Sequence, residues 1–330
     1  MAREWGLDGH PAVHLDCPGQ SDPSQHVRNV TAAVMPWLTD PPPLLVVQGD
    51  TSSALGAALA GFMARVPVAH VEAGLRTHDP SQPWPEEEYR KAIDAQADLL
   101  FAPTDDAAEN LAREKVSGEV YVTGNTGIDA LLAAVALLPP RPTGSNSPAK
   151  LLVTCHRRES WGTGLTEIAA AVRSLAADGL ARVEFVLHPN PDVANRMTKM
   201  LGDLPNVTLR NPCSHGALIE LMRNATIILS DSGGIQEEAP ALGVPLLVLR
   251  EKTERPEGVR SGNMRLVGTS AACILAHVRA LQSEKKALAA MSEPAFPYGD
   301  GRSAPRIVSL IEEWLARTSC SSAPHRRVPL

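Results

Sequence analysis

Residues 226–243, TIILSDSGGIQEEAPALG, carry the reading on which the rest depends. Thr226 to Leu229 is an apolar, β-branched run with the length and composition of a buried parallel strand. Ser230, Asp231 and Ser232 follow, then the adjacent glycines Gly233 and Gly234, then a helical segment that Gly243 ends. A strand that breaks into Gly-Gly at a helix start brings bare backbone N–H groups, and the positive end of the helix dipole, close to an anion. Glu237 and Glu238 come within the first turn or so, where a carboxylate can take ribose hydroxyls while phosphates sit on the helix end. The same string also fits an ordinary strand-to-helix turn capped by Asp231 or Ser232. On this stretch alone both readings stay open.

At 330 residues the chain is long enough for two domains with sizeable cores. Hydrophobic content of 44% and charged content of 21% are those of a soluble globular protein. A net charge of −6, with no basic run before the last few residues, argues against a nucleic-acid partner, and 4% aromatic residues leave few stacking platforms. No apolar run reaches membrane-spanning length, and the N-terminus does not read as a signal peptide. Five scattered cysteines without a CxxC fit reduced thiols in the cytoplasm, with neither a disulfide frame nor a zinc site.

Around the opening stretch the chain alternates strand and helix. A candidate strand lies around Val13–Leu15, and residues 26–38 read as a helix broken near Pro36. Strands follow at 44–47, 66–71, 98–101 and 120–122. Helices lie at about 52–64, from 86, at 105–115 and up to about 138. The string LPPRPTGSNSP is the best linker. The second half repeats the alternation, with strands at 151–154, 183–187, 207–210, 226–229 and 244–249. Its helices lie at about 164–178 and 216–223, and an amphipathic helix at 304–317 precedes a polar tail. The expectation is an α/β protein of two doubly wound, Rossmann-like domains facing across a cleft. Residues 1–145 form the first and 146–303 the second; helix 304–318 packs back on the first, and 319–330 is a disordered tail.

Asp50, Glu72, His156, His188, Asp231 and Arg255 each fall just past a predicted strand end, and in a doubly wound sheet those ends share one edge. Each also has a plain reading: Asp50 as a helix cap, His156 with Arg157 and Arg158 as a solvated basic turn, Arg255 as a structural residue. His70 reads as a core histidine, and the acidic Glu86–Glu88 turn as carboxylates at a positive helix end. HRRE and HPNP lack metal-ligand spacing, so no metal is expected.

Taken together, QGDT, HVEAGLRT, PWPEEEYRK, VTGNTGIDAL, VTCHRRES, HPNP, SDSGGIQEEAPALG and LREKTERPEGV resemble the non-hydrolysing UDP-N-acetylglucosamine 2-epimerases, in order from about Leu44 to Gly268. The resemblance implies a GT-B arrangement of the two domains, a homodimer, and no cofactor. It implies interconversion of UDP-N-acetylglucosamine and UDP-N-acetylmannosamine through elimination of UDP to a 2-acetamidoglucal and its re-addition. By motif position Asp50, Glu72 and Glu86 match the acid/base carboxylates, and His156 the histidine that stabilises the departing diphosphate. Ser232, Gly233 and Gly234 match the diphosphate-binding turn, Glu238 the ribose contact, and Arg255 a cationic partner for the nucleotide. His188 and Asn190 are grouped with the UDP-binding residues, and Arg157 is a candidate allosteric contact.

These epimerases begin with a strand leading into a GTRPE-like turn, which this chain does not contain. The expectation is either a misplaced translation start, giving a truncated gene product, or a first domain that lacks one strand and helix, on the order of 40 residues. Three other functions fit parts of the pattern: a hydrolysing 2-epimerase, a GT-B glycosyltransferase, and a UDP-sugar-binding paralogue without turnover.

Overall fold

The computed structural model of the chain describes residues 9–20, 22–140, 148–155, 157, 161–179 and 181–321, the last two by their backbone alone. Two compact units emerge, one from residues 10–129 with 299 onward, the other from 130–298.

In the first unit, α1 (Pro23–Val34) continues into a 3-10 turn, Met35–Leu38. Then come β1 (Leu45–Gln48), α2 (Ser52–Ala64), β2 (Val68–Val71), α3 (Glu86–Asp94), β3 (Leu99–Ala102), α4 (Asp105–Glu114) and β4 (Glu119–Val122). The four strands pair in parallel in the order β1-β2-β3-β4. The strand period of two sorts their side chains onto two faces. Val47, Val68 and Leu100 pack with Leu55, Ile93 and Leu111 of α2, α3 and α4. Ala69, Val71, Leu99 and Phe101 point the other way, and there α13 (Ser303–Ser321) lays Ile307 and Trp314 against them. Burying side chains of that size stabilises by roughly 1.5–3 kcal/mol each, which ties a helix from the end of the chain to the first sheet. Gly61 lets α2 approach the sheet closely, since a Cβ there would stand 2.8 Å from Val68 Cγ2.

Two expectations need correction. Val13–Leu15 is not a strand: these residues are irregular and Val13 is exposed. Its two apolar residues, Val13 and Leu15, flank His14 and pair with no strand among the described residues. The helix expected to end at 317 runs on to Ser321, and the expected tail lies outside the described residues from 322.

After α5 (Thr126–Leu137), within which the division falls, the second unit holds β5 (Ala149–Thr154), α6 (Thr163–Ala177), β6 (Ala181–Val186), α7 (Pro191–Leu201) and β7 (Val207–Arg210). α8 (His215–Asn224), β8 (Ile227–Ser230), α9 (Gly233–Ala241), β9 (Leu246–Val248), α10 (Pro256–Arg260), β10 (Met264–Leu266), α11 (Ala271–Ser283) and α12 (Lys285–Met291) complete it. Six parallel strands run in the order β10-β9-β8-β5-β6-β7. The chain winds outward from β5 to β7, returns to lay β8 beside β5, and winds outward the other way. That reversal between β5 and β8 is the topological switch point, where loops of the two strands diverge and leave room for a ligand. Leu151, Val153, Phe185, Ile227, Leu229 and Leu247 join α6, α7 and α11 in one apolar core.

Candidate active site

The opening stretch folds into β8 and α9, and its turn stands at the switch point beside the end of β5. Register pairs Thr154 with Ser230, and their hydroxyls meet at 2.7 Å. One residue further, fully buried Asp231 accepts from the Cys155 thiol at 3.3 Å and from the Arg157 backbone N–H at 3.0 Å. Its carboxylate therefore ties the base of the turn to the end of β5. Ser232 occupies the N-cap position of α9, and its side chain makes no capping hydrogen bond there. Capping by Ser232, one of the two plain readings of this turn, is thus not what the structure shows.

A guanidinium lies against this helix end. A Cβ on Gly233 would stand 2.8 Å from Arg255 Nη1 and 3.1 Å from its Cζ, so only glycine admits the arginine. Gly234 is exposed, and a Cβ there would meet no atom of the described residues within 4 Å. Arg255 is held from behind: its Nε–H donates to Glu237 at 2.6 Å, Nη1 donates to Glu254, and the Tyr298 hydroxyl donates to its carbonyl at 2.9 Å. Glu254 in turn accepts from Arg250 at 2.9 Å. Helix dipole, N–H groups and a buttressed arginine are donors of the kind that suit an anion.

Glu238, on the same helix and 8% exposed, accepts from His215 Nε2 at 2.6 Å. Asn190 caps α7 through Asp192, and its own N–H donates to His188 Nδ1 at 2.9 Å, so part of both polar groups is spent on the local turn. Arg157 reaches within 3.7 Å of Glu254. Arg255 sits at the start of α10, several residues beyond β9, so its place in the site comes from a loop. His156 lies outside the described residues. A depression of about 800 Å³ over Arg182, Glu184 and Arg210 contains none of the quoted motifs.

The other carboxylates gather at the strand ends of the first sheet. Gly49, left-handed at φ 71°, turns the chain after β1 and sets Asp50 at the start of α2. Glu72 follows β2 with φ 71°, a conformation costly for a non-glycine residue and concentrated at functional sites. The N–H groups of Glu72 and Ala73 both donate to the Phe101 carbonyl at 3.1 Å, which holds the strained turn. Glu72 Oε2 lies only 3.5 Å from where a Cβ on Gly49 would be, placing it beside the Asp50 turn. Glu86 opens α3, where its carboxylate faces a positive helix end.

Arg90 and Glu87 are the residues that motif reading missed. Arg90 is 2% exposed; it donates through Nη2 to Asp50, 40 residues away, and through Nη1 to Glu87 at 3.2 Å. Glu87, fully buried, also accepts from the backbone N–H groups of Thr77 and His78. So the acidic turn is more than a dipole match: its middle carboxylate pins the loop ahead of α3 and orients the arginine that holds Asp50. The i,i+3 spacing of Glu87 and Arg90 was the available signal.

With this geometry in hand, comparison with known proteins is direct. The sequence profile described as UDP-N-acetylglucosamine 2-epimerase matches residues 2–312. The chain belongs to that enzyme family. The 2-epimerase of Salmonella typhimurium is 40% identical over 310 residues, 88% of this chain and 82% of the relative. A crystal structure of the Neisseria meningitidis 2-epimerase bound to UDP-GlcNAc superposes with a TM-score of 0.89 at 34% identity, covering 94% of this chain and 87% of that one. A Staphylococcus aureus structure with UDP gives 0.84 at 35% identity, covering 91% and 82%. These family members share the fold of two parallel-sheet domains. Among the described residues no helix is long and apolar enough to cross a membrane.

Proposed function

We propose that the chain interconverts UDP-N-acetylglucosamine and UDP-N-acetylmannosamine. The observation that carries this reading is the end of α9 at the switch point, where the Arg255 guanidinium lies against Gly233 and the N-cap side chain of Ser232 makes no capping bond. A diphosphate fits that combination of directed donors and fixed positive charge. Glu238, fixed by His215, stands a little more than one turn along the helix, at a reach suited to ribose hydroxyls.

The sugar chemistry falls to the carboxylates of the first unit. The carbon-2 hydrogen has no adjacent carbonyl to acidify it, so its removal needs a positioned base while UDP leaves from carbon 1. The proton goes to one carboxylate, the C2–H electrons form the double bond of a 2-acetamidoglucal, and the C1–O electrons depart with UDP. Return of UDP to carbon 1, with a proton delivered to carbon 2 from the opposite face, gives the epimer. The sum is redox-neutral and conserves UDP. Asp50, Glu72 and Glu86 supply acid and base, and His156 with Arg255 neutralises the leaving diphosphate. On the family resemblance alone we extend the proposal to a cytoplasmic homodimer; sedimentation of the purified chain tests the dimer.

Chromatography of nucleotide sugars tests the activity itself. Starting from either epimer, the same mixture should form with total UDP-sugar conserved. Steady release of UDP and free N-acetylmannosamine would instead mark a hydrolysing enzyme, and no change from either side would contradict turnover of these sugars.

A further inference from the structure

Behind Asp50 and Glu72 lies a second charged cluster built around His70. His70 is fully buried on β2, and both of its ring nitrogens face acceptors. Nδ1 lies 2.6 Å from Asp94 Oδ1, and Nε2 lies 2.9 Å from the carbonyl of Gly49. A carbonyl oxygen can only accept. Asp94 Oδ2 meanwhile takes the Arg76 Nη2–H at 2.8 Å and the Gly74 N–H at 3.1 Å, two donors that hold Asp94 as a carboxylate. A neutral imidazole owns one N–H and would leave one contact as acceptor against acceptor in a buried site.

We propose that His70 is a positioning residue for the reaction: a doubly protonated imidazole that clamps the Gly49 turn, and with it Asp50 and Glu72, to the core of the first unit. The proposal rests on the assignment of those two carboxylates to proton transfer. The clamp closes on both sides of one residue, Gly49. The Gly49 N–H donates to the Val71 carbonyl at 3.0 Å, and its carbonyl takes the His70 proton. The next residue is Asp50, steadied further by Arg90.

Charge supports the same conclusion. The groups that face His70 are Asp94 from α3, Glu72 from the end of its own strand and, behind Asp94, Arg76, which also donates to Glu114 at 2.8 and 2.6 Å. With His70 charged, the cluster His70, Arg76, Asp94 and Glu114 balances two cations against two anions. Burial opposes the charge on His70, but the Asp94 hydrogen bond and charge, the Gly49 carbonyl and Glu72 outweigh it and hold its pKa above the ordinary histidine value.

The test combines charge state and kinetics. Two-bond proton–nitrogen correlation spectra of the wild-type protein, labelled with 15N-histidine, report both ring nitrogens; loss of one signal in His70→Asn assigns it. The expectation is a doubly protonated His70 at neutral pH, with kcat falling on the alkaline side in step with its deprotonation. His70→Asn and His70→Gln should lower kcat about tenfold or more, with KM and UDP affinity changed less than about twofold. A singly protonated His70 at neutral pH overturns the proposal, as does wild-type kcat that stays level while His70 deprotonates, or a UDP-binding variant that keeps full kcat. Should the variants fail to bind UDP, the two wild-type titrations decide alone. A wild-type protein that binds UDP yet exchanges no carbon-2 proton counts against the epimerase reading, whereas a neutral His70 in an exchanging enzyme counts against the clamp only.

Discussion

The Nε–H of Arg255 meets Glu237 Oε1 at 2.6 Å, across 18 residues of chain, and both side chains are all but buried. Glu254 takes the same guanidinium from another side. Arg255 is thus aimed at the end of α9 by carboxylates that would be left with buried charge in its absence. Arg255→Lys keeps the charge and loses the planar fork. It should weaken UDP binding by about tenfold, or about 1.4 kcal/mol, and lower thermal stability as well. Calorimetric titration with UDP and a melting scan check both; unchanged affinity would remove Arg255 from the anion site.

Gly233 and Gly234 should separate stability from binding. A methyl group at Gly234 meets no atom of the described residues, and alanine favours helix over glycine by roughly 0.5–1 kcal/mol. Gly234→Ala should therefore melt no lower than wild type, yet bind UDP at least about tenfold more weakly because the methyl occupies the face offered to the diphosphate. Gly233→Ala must displace the Arg255 guanidinium, so both melting temperature and affinity should fall.

Asp50→Asn and Glu72→Gln remove the carboxylates proposed for proton transfer while keeping shape. Each should cut turnover by about 10²–10⁴, the range for loss of a general acid or base, and leave UDP affinity near wild type. Asp50→Asn should also weaken the hold on Arg90 and lower the urea midpoint. Near-normal turnover in both would take these strand ends out of the chemistry.

Stability should depend on pH at both ends of the range. Burial would raise the pKa of Asp94, but its bonds and charge pairing with His70 and Arg76 win and hold it below the usual carboxylate range. That contribution is present above the unfolded-state value and is lost as pH falls through the folded one. His70 has the opposite sign: its raised pKa stabilises fully below the ordinary histidine range and is lost as pH climbs through the folded value. Urea midpoints across pH should fall on the alkaline side in wild type, and that part of the fall should vanish in His70→Asn. An alkaline decline of the same size in both proteins would refute this linkage.

Much of the fold was legible because buried parallel strands read as unbroken apolar runs; Val207–Arg210 and Ser52–Ala64 have the bounds expected. The second half was read less completely. No assignment covered α7, α10, β10, α11 or α12, although Ile274, Val278 and Leu281 recur at helical spacing in α11. β10 has three residues and carries no periodicity to find. Polar residues just past strand ends, such as Asp50, Glu72 and Asp231, could be placed there because the apolar runs before them mark where the strands stop. What holds them could not. His70 pairs in register with Val47 and meets Asp94 on a helix 24 residues later, and only tertiary packing brings Arg90 to Asp50. Hence a histidine that reads as plain core proves to be tied into a buried charge network.

The most direct test of the central claim is proton NMR of the purified protein with UDP-N-acetylglucosamine in deuterated buffer. The account predicts UDP-N-acetylmannosamine carrying deuterium at carbon 2, deuterium washing into the starting sugar as well, and no lasting loss of UDP-sugar. A sample that binds UDP while the carbon-2 proton signal of its sugar persists unchanged would contradict it.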